Sequence, residues 1–149
     1  MSLEKQIMEE IKTAMKARDK ESLEALRSVK SALLLAKTGK GSKELDEAGE
    51  TAILQKLVKQ RKDSAEIYKQ QKRDDLYEKE IKEAEVIGKF LPEQMGTEEL
   101  EQLLKIIIDK MGASTMADMG KVMGAASKQL AGKADGKSIA ETVKKLLST

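Results

Sequence analysis

The 149-residue chain has no cysteine, no histidine and no tryptophan, a single proline, and three aromatic residues, Tyr68, Tyr77 and Phe90. Each absence removes a class of chemistry. Without cysteine there is no disulfide, no thiolate nucleophile and no thiolate-bound metal. Without histidine the commonest general base is gone, and with it any Ser-His-Asp or Cys-His pairing. Three aromatics are too few for a platform that stacks single-stranded bases. Charge of one sign is also lacking: 28 basic side chains face 26 acidic ones, a net charge of +2. Any polyanion-binding surface must therefore be local. Long apolar runs are missing too. Ala32 to Ala36 is the longest notable one, far short of the ~20 residues that a membrane-spanning helix needs. The first residues, Met1-Ser2-Leu3-Glu4-Lys5, lack the apolar stretch of a secretory signal. The expectation is a soluble cytoplasmic protein with no membrane segment.

What is present is helical periodicity. Leu3, Ile7, Ile11 and Ala14 fall on one helix face behind a Ser2 cap. A second helix runs from about Lys20 to Lys37, with Leu23, Leu26, Val29, Leu33 and Leu34 inward. Thr38-Gly39-Lys40-Gly41-Ser42 breaks it. A long third helix spans about Asp46 to Gln71, and a turn near Lys72 to Asp74 leads to a fourth, about Asp75 to Phe90. Pro92 marks the best boundary. Beyond it, Thr97 caps a helix carrying Leu100, Leu103, Leu104, Ile107 and Ile108, stopped by Gly112. The next helix places Met119, Val122, Met123, Ala126 and Leu130 on one stripe. The last starts at the box Ser138-x-x-Glu141 and buries Ile139, Val143, Leu146 and Leu147. No strand pattern or repeat is visible. The reading is all-α: an N-terminal domain of about four helices, residues 1–92, and a small C-terminal three-helix domain, residues 93–149.

Two motifs carry ordinary readings. Ala131-Gly132-Lys133-Ala134-Asp135-Gly136-Lys137-Ser138 imitates a phosphate loop but lacks its first glycine and the strand that should precede it. It is read as a helix–turn–helix connection, with Gly132 ending one helix and Ser138 capping the next. Gly120-Lys121-Val122-Met123-Gly124 is a G-x-x-x-G, read as a small-residue flank over which a neighbouring helix packs. The helical wheel puts Lys121 opposite the apolar stripe.

The N-terminal part places charges where apolar residues belong. Arg61 falls inside the arc of Leu54, Leu57, Ala65 and Tyr68 on the third helix. Lys30 falls among Leu26, Leu33 and Leu34, with Arg27 at the edge. Glu80 and Glu83 fall among Leu76, Ile87 and Phe90. Buried charges are seldom left unpaired, so an inter-helix network of Arg61, with Lys30 or Arg27, and Glu80 and Glu83 is predicted. On the outer side of the third helix, Lys59, Lys62, Lys69 and Arg73 form a stripe able to follow a phosphate backbone, interrupted by Glu66 and flanked by Asp63. No residue set makes a self-sufficient catalytic centre, and none calls for a cofactor or a metal.

Taken in order, Arg27-x-x-Lys30-Ser31-Ala32-Leu33, Lys59-Gln60-Arg61-Lys62-Asp63-Ser64, Arg73-Asp74-Asp75-Leu76 with Glu80, Leu91-Pro92-Glu93-Gln94, Met119-Gly120-Lys121-Val122-Met123 and Ala134-Asp135-Gly136 resemble the GatB/YqeY family, specifically its stand-alone YqeY-like members. The resemblance covers about Leu3 to Leu147. It implies an all-helical protein with a small C-terminal three-helix domain, similar to the tail of the B subunit of the aspartyl/glutamyl-tRNA amidotransferase. There the tail helps to hold the tRNA body. The family-level label of carbon–nitrogen ligase with glutamine as amide donor belongs to chemistry whose parts this chain does not supply. One departure is that Lys72 stands before Arg73 where the family leads one to expect glycine. The resemblance implies an accessory tRNA-binding module, with Lys121, Lys133 and Lys137 and the stripe Lys59, Lys62, Lys69 and Arg73 as candidate contacts. The rival reading is a protein-interaction module that docks through apolar Met and Leu faces. The sequence leaves the oligomeric state open.

Overall fold

The computed structural model describes residues 2–39 and 44–148. Among them are seven α-helices, one short 3-10 turn and no strand. The helices are α1 (Leu3–Ala17), α2 (Lys20–Thr38), α3 (Glu47–Gln70), α4 (Asp74–Gly88), α5 (Thr97–Met111), α6 (Met119–Gln129) and α7 (Gly136–Leu147), with the 3-10 turn at Met116–Asp118 before α6. The chain divides into two compact units, residues 1–91 and 92–149.

The first unit is two helical hairpins. The pair α1–α2 and the pair α3–α4 each pack internally, and α2 lies along α4. The core holds Ile7, Ala25, Leu26, Val29, Leu33, Leu54 and Ile87, with Phe90 and Leu91 against it. Ser2 caps α1 by accepting from the Lys5 N–H, and Asp19 caps α2 by accepting from the Ser22 N–H. Ends are closed by left-handed residues. After α1, Arg18 adopts φ 56°, and the Asp19 N–H reaches back to the Ala14 carbonyl at 2.9 Å. After α3, Lys72 adopts φ 59°, and the Arg73 N–H reaches the Tyr68 carbonyl at 2.9 Å. Both are Schellman endings, a geometry that favours glycine because a Cβ crowds the left-handed backbone. Lys72 is the residue at which the family leads one to expect glycine, so the same turn is made here with a strained side chain. Of the expected break after α2, Gly39 is the cap, while Lys40, Gly41 and Ser42 lie outside the described residues.

The second unit is a three-helix bundle around Leu100, Leu104, Ile107, Val122, Ala126, Leu130, Ile139, Val143 and Leu147. Gly112 ends α5 at φ 65°, a third Schellman ending and the one built on glycine. The segment before α5 is tied to the far end of α6. The Met95 N–H donates to the Lys133 carbonyl at 3.0 Å, and the Gln94 amide donates to the Pro92 and Gly132 carbonyls at 2.6 and 2.8 Å.

Several local expectations need correction. The cap of α5 is Gly96, with Thr97 already its first residue. The cap of α7 is Asp135, which accepts from the Ser138 N–H at 3.1 Å, so Ser138 lies inside the first turn. The helix starts three residues earlier, where the Asp135 carboxylate accepts from the free N–H of Ser138. Leu34 is exposed, because α1 and α4 cover other sectors of α2. A Cβ added to Gly120 or Gly124 would meet nothing within 4 Å, so no helix packs over that flank.

Candidate functional site

Three helices of the first unit meet at a polar centre. Arg61 on α3 is half-buried. One guanidinium nitrogen donates to the Leu57 carbonyl at 3.1 Å, another donates to the Ser28 hydroxyl of α2, and its Nε is buried with no hydrogen-bond partner. Glu83 on α4 is 7% exposed, a buried charged residue within an otherwise apolar core. Burial pushes its carboxyl above the usual range, the Arg61 guanidinium opposes that, and Glu80 raises it further. Among the described residues no ion pair within 4.0 Å joins Arg61 to Glu83 or Glu80; Arg61 acts on Glu83 through the low-dielectric interior. Glu80 is half-exposed, and Lys30 and Arg27 point to solvent. The structure thus brings Arg61 and Glu83 together, adds Ser28, and leaves Lys30 and Arg27 outside. Ser28 had no sequence signal beyond its place one turn before Ala32.

At the surface of the same unit, charges bridge helices. Lys82 of α4 reaches Asp19 at 3.3 Å and Glu21 at 3.2 Å, and Lys79 reaches Glu24 at 3.0 Å. Asp19 is held below its ordinary pKa, first by the Ser22 hydroxyl and N–H and then by Lys82. The outer stripe of α3 is partly neutralised. Lys59 pairs with Asp63 at 3.8 Å, and Arg73 pairs with Asp75 at 3.2 Å, which also raises the Arg73 pKa. Lys62 and Lys69, seven residues apart, are exposed between them with Glu66.

The second unit separates its charges along the chain. Residues 92–118 carry six acidic side chains and two lysines, whereas residues 119–149 carry six lysines and two acids. In the latter half Asp135 is already engaged as the cap of α7. Lys121 and Lys128 are seven apart on α6, and Lys137 and Lys144 are seven apart on α7, so each helix shows a basic stripe. Lys121, Lys133 and Lys137 are all exposed. Among the described residues none of these lysines has a carboxylate within 4.0 Å; the ion pair of this unit is Lys105 with Glu101 on α5. A groove of about 440 Å³ lies beside Lys133, lined by Pro92, Gln94, Met95, Glu99, Leu103 and Leu130. Among the described residues no group of three or more acidic side chains is placed to hold a metal ion, and no helix is long and apolar enough to cross a membrane.

Two helical units, one with a polar centre and one with a charge-segregated surface, define an all-α protein. The chain belongs to the YqeY-like family, described as "Yqey-like protein", whose sequence profile matches residues 4–147. It is similar to a Saccharomyces cerevisiae protein named "Altered inheritance of mitochondria protein 41, mitochondrial", with 33% identity over 132 residues, 87% of this chain and 69% of that protein. Proteins of the same name from Clavispora lusitaniae (33% over 128 residues, 81% of this chain and 69% of that one) and Kluyveromyces lactis (28% over 121 residues, 79% and 65%) are similar as well. These relatives overturn the expectation of a cytoplasmic protein, since they are named as mitochondrial. That expectation rested on the composition of the first residues, which does not report a compartment.

Proposed function

We propose that this YqeY-like chain is an accessory module that binds the body of a folded RNA, with tRNA as the ligand class, through the α6–α7 half of its second unit. One observation carries the reading: six lysines against two acids in residues 119–149, none of the lysines with a carboxylate within 4.0 Å among the described residues, though Lys121 acts on Asp118 at longer range. Unpaired lysines are free to replace counterions on phosphates, the main source of affinity for nucleic acid. The scarcity of aromatics suits recognition of helical RNA by shape and phosphates instead of by splayed bases. Lys121, Lys133 and Lys137 are the leading contacts, and Lys137 adds its charge to the N-terminal turn of α7. The acidic α5 half turns phosphates away and orients the bound RNA. The α3 stripe is the weaker contact, because Asp63 and Asp75 already occupy Lys59 and Arg73.

The resemblance to the amidotransferase tail supports the same ligand class. In this reading the carbon–nitrogen ligase label describes a larger assembly, and the chain contributes binding without turnover. The kinship with proteins named mitochondrial supports a mitochondrial setting for such a module. The test is a titration of the purified chain against bulk tRNA at low and moderate salt. Affinity that falls steeply with salt supports the reading. Negligible binding at low salt removes it. Amide-forming turnover by the purified chain alone would replace it with an enzyme.

A further inference from the structure

A different surface, on the α1–α2 hairpin, is independent of the RNA reading. The hydrogen-bonded pair of Lys37 and Glu4 fixes which flanks of α1 and α2 meet at their seam. Going round α1 from buried Ile7 through Ile11, the wheel next presents Met15 and Met8, then Lys12, Lys5 and Lys16, with Glu9 beyond them. Going round α2 from buried Leu26 and Leu33 past Lys37, it presents Lys30, Leu34, Arg27 and Lys20. Both arcs therefore open on the same outer flank, one on each side of the seam.

Three apolar side chains of this flank are uncovered, Met8 at 48% exposed, Met15 at 56% and Leu34 at 59%, with the Lys37–Glu4 pair and Lys30 between the α1 and α2 positions. Met8 and Met15 are seven residues apart, about 10 Å along the axis, which equals two turns of a facing helix. The ridges are basic on both sides. Of the cations on these two arcs, Lys37 alone has a carboxylate within 4.0 Å among the described residues. The one nearby acid of α2, Glu24, is held by Lys79 on the side facing α4.

We infer that this flank docks an acidic amphipathic helix of a partner protein, its apolar stripe on Met8, Met15 and Leu34 and its carboxylates on the lysine and arginine ridges. Charge complementarity sets the sign of the partner. The flank along two antiparallel helices, with exposed apolar side chains bordered by cations, takes a third helix by the helix-in-groove mode. Exposed methionines suit such a flank because their flexible thioethers adapt to the side chains they meet. An RNA would gain nothing from the exposed methionines and leucine, and the vesicle arm below separates a membrane from a helix.

The probe is a 20-residue designed helix with leucines along one stripe and glutamates bordering it, titrated into the full chain by fluorescence anisotropy. Its counterpart with lysines at the bordering positions and vesicles of anionic phospholipid are run beside it. The acidic helix is expected to bind. Met8→Glu with Leu34→Glu is expected to weaken that binding about tenfold or more, as removal of central apolar anchors does elsewhere. Lys12→Glu with Lys30→Glu is expected to weaken it and to shift the preference toward the lysine-bordered helix. All four positions are at the surface, and circular dichroism checks that the variants fold. Equal binding of both helices, or acidic-helix binding untouched by either pair, overturns the inference. Vesicle binding that exceeds helix binding and is lost in the same variants also overturns it, by making the occupant a membrane.

Discussion

In residues 2–91 charged side chains reach from helix to helix, Lys82 to Asp19 and Glu21, Lys79 to Glu24, Lys37 to Glu4, and the Glu83 carboxylate is buried beside the half-buried Arg61. In residues 92–148 the core is apolar throughout, and the described ion pair runs along one helix, Lys105 to Glu101. The first unit thus uses its charges to fix how helices register against one another, a role for which buried polar groups are known. Among the described residues the second unit holds its helices by apolar packing and by the hydrogen bonds from Gln94 and Met95 to the Gly132 and Lys133 carbonyls. Among the described residues, the lysines of α6 and α7 and of the turn between them have no carboxylate within 4.0 Å. The comparison separates a part whose charges face inward and across from a part whose charges face outward.

The largest effect expected from breaking this contrast is in the second unit. Leu104 is fully buried, and Leu104→Ala should cost about 2–5 kcal/mol through lost transfer energy and a cavity. A unit of 58 residues has little reserve. Hydrogen exchange should show α5 to α7 losing protection while α1 to α4 keep theirs. Equal loss in both units would mean that they do not melt separately.

A smaller effect tests the interior of the first unit. Arg61→Met should destabilise it by about 1–3 kcal/mol, because Ser28 loses its partner and Glu83 loses its nearest opposite charge. No measurable change in the denaturation midpoint would deny that Arg61 is paired and half-buried. Glu83→Gln sharpens the point through pH. The folded carboxyl is raised above its unfolded value, so the fold holds that proton more tightly and gains stability as pH falls through the folded pKa. Above that pKa the buried charge is a cost. The glutamine variant should therefore melt higher than the parent near neutral pH, with the gap closing as pH drops below the ordinary glutamate range. A gap independent of pH would assign the effect to packing. The smallest effect concerns Lys72. Lys72→Gly should relieve the left-handed turn after α3 and raise stability by about 1 kcal/mol, read as a small rise in melting temperature.

Much of this was legible in the residues. The helices and the break at Pro92 follow from period-3.6 patterning and from caps, and Arg61 and Glu83 stand out because a charge interrupts an apolar arc. What the pattern could not give is which neighbour covers which sector. A wheel treats the apolar arc of α2 as one face, but α1 and α4 take separate sectors, and this leaves Leu34 and Lys30 in the open. The cap of α7 went to Asp135 because Asp135 and Ser138 are both good capping residues three positions apart, and the motif does not say at which of them the helix begins. The partition of charge within the second unit needed only counting, once the unit was split at α6 instead of being taken whole. Taken whole it is neutral, with eight basic and eight acidic side chains.

The central claim is that the α6–α7 half of the second unit, and not the α3 stripe, carries the phosphate contacts. The most direct measurement sets two charge-reversed pairs side by side in one tRNA titration over a range of salt: Lys121→Glu with Lys137→Glu, and Lys62→Glu with Lys69→Glu. The first pair should lower affinity strongly and reduce the slope of log affinity against log salt by about two. The second pair should change the slope little. An equal or larger loss from the α3 pair, or binding to tRNA with no salt dependence, would contradict the account.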